Sequence, residues 1–299
     1  MKLRILLPLA ALVLIALAGL TLLFGPRTPT AKPLPVPNGY DDFLAAVKVI
    51  SSVPPTKEDW QKLDLVALRT FVASNAPALA RARMGLTRQC RLPPISSLTN
   101  LEAHIAQIGG FKRTAQAFAA ESRLAALEQR TNAAALAALD CIRFGQESTR
   151  GGPLIDSLVG VAIRAIGLAQ LNRVVVSVDA PTLKQLAGDL EAILATRETA
   201  AEVMANEELF THNAFPLSQR IAGRIATWTS GDQSIAKTMQ KLDADAQGLA
   251  RTTLDCAALA YQLDHGNPPQ SLTNLVPTYL KTIPTDPVTG QTMPLPVGR

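Results

Sequence analysis

Two charged side chains in an otherwise apolar stretch are the first candidates for chemistry. Asp156, Gly160, Arg164 and Gly167 recur at spacings of four and three, which places them on one face of a helix. A carboxylate and a guanidinium in apolar surroundings suit acid–base work or the grip of a charged substrate. One reading is therefore a polar pocket lined by Asp156 and Arg164, and with it an envelope enzyme. The other is a close helix crossing over the two glycines, with both charges paired at its edges. An unpaired buried charge is costly, so the crossing is the reading adopted.

The remaining reactive residues do not form patterns. His104, His212 and His265 are isolated and stand outside HExxH spacing, so each reads as a surface or capping residue. Cys90, Cys141 and Cys256 make no CxxC pair. A bridge between Cys90 and Cys141 is the alternative to three buried thiols packed as small hydrophobes, and the thiols are preferred. Asp243-Ala244-Asp245 imitates the start of a calcium loop, but Leu254 stands where the closing Glu belongs. The adjacent carboxylates Asp41/Asp42 and Glu207/Glu208 do not share a helix face, which rules out a dyad. G-x-S-x-G, Walker and G-x-G-x-x-G motifs are all missing from the chain. No catalytic, cofactor-binding or metal-ligating residue is assigned, no cofactor is expected, and the chain is read as non-enzymatic.

The elements that would position these residues are helices. Hydrophobic residues make up 47% of the chain and aromatics 4%, and strand formers cluster only at Val174–Val178. The net charge of +5 includes Lys2, Arg4, Arg27 and Lys32 near the start, so the rest is close to balanced and carries no nucleic-acid footprint. A first helix is expected near Tyr40. Thr56 reads as the cap of a second, burying Trp60, Leu63, Ala67, Leu68 and Phe71. Asn75 and Pro77 then restart a helix that runs to about Arg88. Residues 98–150 read as helical hairpins, with Phe111, Ala115, Phe118, Ser122 and Ala125 on one face and Leu136, Leu139 and Ile142 on the next. Alanine-rich pairs of this kind resemble tetratricopeptide units, without a convincing 34-residue period.

Residues 153–176 read as the central buried helix, apolar nearly all round. Asp179 or Thr182 caps the next helix. Another runs from about Glu198 to Phe210, and a short one ends near Trp228. From Asp232 to His265 a seam of Ile235, Met239, Leu242, Ala246, Leu249, Thr253, Cys256, Ala260 and Leu263 marks one long helix. Its small side chains suit packing inside a bundle.

Ile5–Phe24 is uncharged and follows Lys2 and Arg4, so it predicts a transmembrane anchor over 1–24 with its N-terminus in the cytoplasm. Ala16-Leu17-Ala18 resembles a cleavage site, but the apolar run continues to Phe24, and the uncleaved anchor is preferred. Pro26, Pro29, Pro33, Pro35 and Pro37 make 25–38 an extended spacer, able to hold the domain up to ~40 Å from the bilayer. The helical domain then spans 39–266 and a tail spans 267–299. The predicted class is all-α: an inner-membrane, single-pass protein with an extracytoplasmic helical-hairpin bundle and a short irregular or hairpin tail.

That tail carries a resemblance. Asp264-His265-Gly266-Asn267-Pro268, then Leu272-Thr273-Asn274-Leu275-Val276-Pro277, then Tyr279-Leu280-Lys281-Thr282-Ile283-Pro284-Thr285-Asp286-Pro287, follow the order seen at the end of type II secretion pseudopilins. In that family the loop after the D-P step holds calcium, which would point to Asp286, but one acidic residue is a poor cage. Residues 1–24 contain no acidic residue, unlike a processed pseudopilin, so the tail reads as a shared structural cap.

Residues 37–43, 88–93 and 150–163 together with the tail resemble a family of bacterial membrane-anchored helical proteins without an assigned function. The expected role is protein binding or scaffolding in the cell envelope, with the membrane held through 5–24 and a protein partner outside the cytoplasm. An accessory part of a secretion or pilus-type machine is the alternative.

Overall fold

The computed structural model describes residues 30–51, 60–220 and 233–296, and among these every regular element is helical. The expected anchor, the start of the proline segment and the Thr56 cap lie outside the described residues, as does the helix expected to end at Trp228 beyond its first residues, 217–220, which are helical. Eight α-helices follow in order: α1 (Gly39–Val49), α2 (Leu65–Leu86), α3 (Leu98–Leu127), α4 (Thr131–Glu147), α5 (Leu154–Val174), α6 (Ala180–Ala195), α7 (Ala200–Ala214) and α8 (Gln233–His265).

Short polar side chains set the starts. Asn38, Asp64, Ser97 and Asp179 each accept a backbone N–H of the first turn, and Thr199 with Glu202 closes a reciprocal capping box on α7. The residues 174–178 that looked strand-like form the end of α5 and a 3₁₀ turn, Val175–Ser177. Packing against the helical core overrides the β-branched preference there.

Two sequence expectations fail here. The helix was to restart at Asn75, yet α2 runs unbroken through Pro77. Asn75 is fully buried and does not cap; its side chain accepts the Ser51 N–H and donates to the Phe71 carbonyl. Residues 153–176 were to be buried all round, yet Ile155, Ala162, Ala165 and Ala169 of α5 are exposed. By length and composition Leu154–Ser177 is apolar enough to cross a membrane. In the fold it packs against α3, α4, α7 and α8, which makes it the central helix with one open face.

The core falls into two clusters. The first gathers Phe43, Phe111, Phe118 and Phe144 with Leu68 and Leu79, from α1 to α5. The second gathers Leu183, Leu186 and Leu190 of α6 against Leu249, Cys256, Ala257 and Ala260 of α8. The C-terminal half of the α8 seam is thus buried within the domain. Its ends are not: Leu263 is 57% exposed, and Ile235, Met239 and Leu242 are half-buried.

The tail joins the second cluster. Gly266 takes a φ of +75° and closes α8 by donating to the Gln262 carbonyl. A 3₁₀ turn at Leu272–Leu275 follows, with Ser271 and Asn274 as its capping box. Leu275, Tyr279 and Leu280 are buried, whereas Ile283 is exposed. Asp286 then builds a tight end: Oδ1 accepts the N–H groups of Val288 and Thr289, and Thr285 bridges Thr292 antiparallel.

Candidate functional site

The α4–α5 crossing is made by missing side chains. A Cβ on Gly145 would lie 3.0 Å from the Gly160 carbonyl, and one on Gly160 would lie 2.8 Å from that of Gly145. At the other end, a Cβ on Gly167 would lie 2.9 Å from the Ala138 carbonyl. The backbones can approach this closely only without those carbons. The two charges on this face go to different partners. Arg164 reaches α8, where its Nε and Nη2 donate to Asp245 Oδ2 at 2.8 and 2.6 Å. Asp156, fully buried in the first turn of α5, accepts from His104 Nε2 of α3 at 2.8 Å.

The helix N-terminus favours the carboxylate of Asp156. Its Oδ2 has no hydrogen-bond partner among the described residues. Asp156 and Arg164 therefore do not converge on one site, and the geometry takes away the basis for an enzyme built around them. His104 corrects the sequence reading too, being neither surface nor cap but the buried hydrogen-bond partner of Asp156.

Other candidates are likewise committed to structure. All three cysteines are free and buried, so Cys90 and Cys141 do not bridge. Burial pushes the Cys90 and Cys256 thiols up to about 12, and that of Cys141 further, which leaves them unionised. Asp245 is engaged by Arg164, and Asp42 pairs with Arg88. Glu207 accepts the Leu154 N–H at 2.8 Å, supplying the cap that Pro153 cannot. Asp286 spends Oδ1 on its own turn and Oδ2 on Gln247. The hydrogen bonds it accepts, first from Thr289 and Val288, hold its carboxyl below the usual range. No cluster of three metal-ligating side chains occurs among the described residues.

A groove lined by charged residues remains. It has a volume of about 760 Å³ and lies between the extended residues 32–35, the loop after α2, the end of α4 and α6. The proline segment was expected to be a free spacer. Its described part instead lies against the domain, where Lys32 Nζ donates to Glu202 of α7 at 2.8 Å. Leu34, Leu86 and Ile193 give the groove apolar lining. Lys32, Arg88, Arg91, Arg143 and Arg150 line it against two carboxylates, Glu147 and Asp189.

Three of the five cations are neutralised: Lys32 by Glu202, Arg88 by Asp42 and Arg150 by Glu147. Arg143 donates to the Leu86 carbonyl at 3.3 Å and makes no ion pair within 4 Å among the described residues, although the Asp140 carboxylate feels its charge. The Arg91 guanidinium has neither a hydrogen-bond nor an ion-pair partner among the described residues, although its backbone is clamped by Asn38.

Comparison with protein-family models, curated proteins and solved structures found no match. The site rests on this chain's own geometry. Sequence reading missed it because Arg91 and Arg143 come from different elements and gain a common face only when α2 and α4 pack. The one local signal was Arg88-Gln89-Cys90-Arg91, a short basic stretch beside Pro93-Pro94.

Proposed function

We propose that this chain is a membrane-anchored cell-envelope protein whose helical domain binds another protein or organises a membrane complex. Residues 5–24 supply the inner-membrane anchor, with the N-terminus inside and the domain outside the cytoplasm. The observation that carries the binding role is the groove, a concave surface that joins apolar side chains to two arginines that make no ion pair among the described residues. Such a mixture suits recognition by contact, while the charged residues most apt for catalysis are held in structural pairs.

A second reading, an accessory of a secretion or pilus-type machine, draws support from the residue order of the tail, which resembles that of pseudopilins. Fractionation tests the frame. The full chain should stay with membranes in high salt and carbonate and leave them in detergent, and an external protease should reach the domain only after the outer barrier is opened. A soluble chain whose N-terminus begins at Gly19 would contradict the anchor.

A further inference from the structure

The groove has a chemistry specific enough to describe its occupant. Lys32, Arg88 and Arg150 are neutralised within the domain, so the charge that remains to be met belongs to Arg91 and Arg143. A guanidinium presents its donors as a planar fork that fits a carboxylate in two parallel hydrogen bonds. Phosphate fits the same fork, and two other features decide between them. Asp189 also lines the groove, and its carboxylate repels a densely charged polyanion more than single carboxylates spaced along a chain. The apolar lining from Leu34, Leu86 and Ile193 offers contacts to side chains such as Leu or Val, which a free anion does not have.

One wall is a stretch of chain outside any helix, in which Pro33 and Pro35 favour extended backbone. Among the described residues, 31–35 make no backbone–backbone hydrogen bond. A trough walled by extended chain on one side and helices on the other accepts a segment in extended form.

We infer that the groove binds an acidic, extended polypeptide segment of a protein partner, with Arg91 and Arg143 each engaging a carboxylate of that segment. This rests on the protein-binding reading of the domain and names the partner's chemistry. Binding is salt-dependent because both guanidiniums are reached by solvent. The occupant brings its carboxylates to residues that make no ion pair among the described residues, so their reversal costs recognition, and the melt of each variant checks that the Arg143–Leu86 contact is not what was lost.

The test uses the full chain in detergent micelles and a fluorescein-labelled peptide that alternates Glu with Leu. Its control has Gln for every Glu. Fluorescence anisotropy should show binding of the Glu peptide only. Arg91→Glu or Arg143→Glu should weaken it about tenfold each, the double variant more, with an unchanged circular-dichroism melt. Equal binding of both peptides, no binding of either, or indifference to the double reversal would overturn the inference. So would a groove that ignores the peptide but takes inorganic phosphate or vesicles of phosphatidylglycerol in an Arg143-dependent way, since the site would then be one for phosphate or lipid. A peptide failure leaves the broader reading standing if cross-links place a protein on another face of the domain. It removes both if no face yields one.

Discussion

The two hydrophobic clusters of the domain are made of different material. Around Phe144, the rings of Phe43, Phe111 and Phe118 lie with centroids 5.1, 5.9 and 5.9 Å away, and all four are fully buried. The second cluster is leucine, isoleucine, valine, alanine and cysteine, and its buried aromatic ring, Tyr279, arrives from the tail. The first cluster closes with helices that follow one another in sequence. The second stays open until α8 and residues 272–280 return to it. A chain poor in aromatics thus concentrates its rings in one half and relies on aliphatic side chains, and on its own end, in the other.

The largest effects should break the first cluster. Phe144→Ala removes the ring that the other three share and should cost about 3–5 kcal/mol. His104→Ala should cost a similar amount, about 3–5 kcal/mol, because it strands the Asp156 carboxylate in the interior. Thermal melts of the soluble domain check both. Loss of under 1 kcal/mol for His104→Ala would mean that Asp156 is partnered in another way.

Truncation before Pro268 sharpens the contrast. Leu275, Tyr279 and Leu280 contribute about 1.5–3 kcal/mol each before the entropy of ordering the tail is subtracted, so the net loss is smaller. Hydrogen exchange should accelerate in α6 and α8 and stay unchanged in α1–α3. Uniform acceleration would show that the clusters are one cooperative unit.

Gly160→Ala tests the seam between them. Its Cβ would meet the Gly145 carbonyl at 2.8 Å and Thr149 Oγ1 at 2.6 Å, and the overpacking should cost about 1–3 kcal/mol.

The smallest effect concerns the docked proline segment. Lys32, followed by the Thr199 backbone, holds the Glu202 carboxyl down from its ordinary 4.5 to about 2. A depressed carboxyl stabilises the fold above its unfolded value and loses that contribution as pH falls toward about 2. A fluorophore at position 36 should therefore report release of the segment on acidification below about 4.5, and Glu202→Gln should release it at neutral pH.

Much of the helical scaffold was legible because burial repeats along single helices. Phe111, Ala115, Phe118, Ser122 and Ala125 all lie inside as their spacing predicts, and Asp179 caps α6. The glycine crossing was legible for the same reason. What sequence hid was long-range. His104 and Asp156 are 52 residues apart, and nothing local to either names the other. Pro77 looked like a break, but packing on both sides of α2 carries the helix through. The proline segment looked solvated, and only α7 supplies the Glu202 that fastens it. The groove needed all of these contacts before it existed.

The central claim is that the groove is where a protein partner sits. A photo-cross-linking amino acid at Gln89, an exposed residue of the groove, should be compared with one at Val66, 72% exposed and about 30 Å away along α2, each in the full chain in its native membrane. Gln89 should give an adduct whose partner peptide, read by mass spectrometry, is acidic and lies in an extended segment, and the adduct should vanish in the Arg91→Glu, Arg143→Glu background. An adduct from Val66 alone, or a Gln89 adduct that survives the double reversal, would contradict the account.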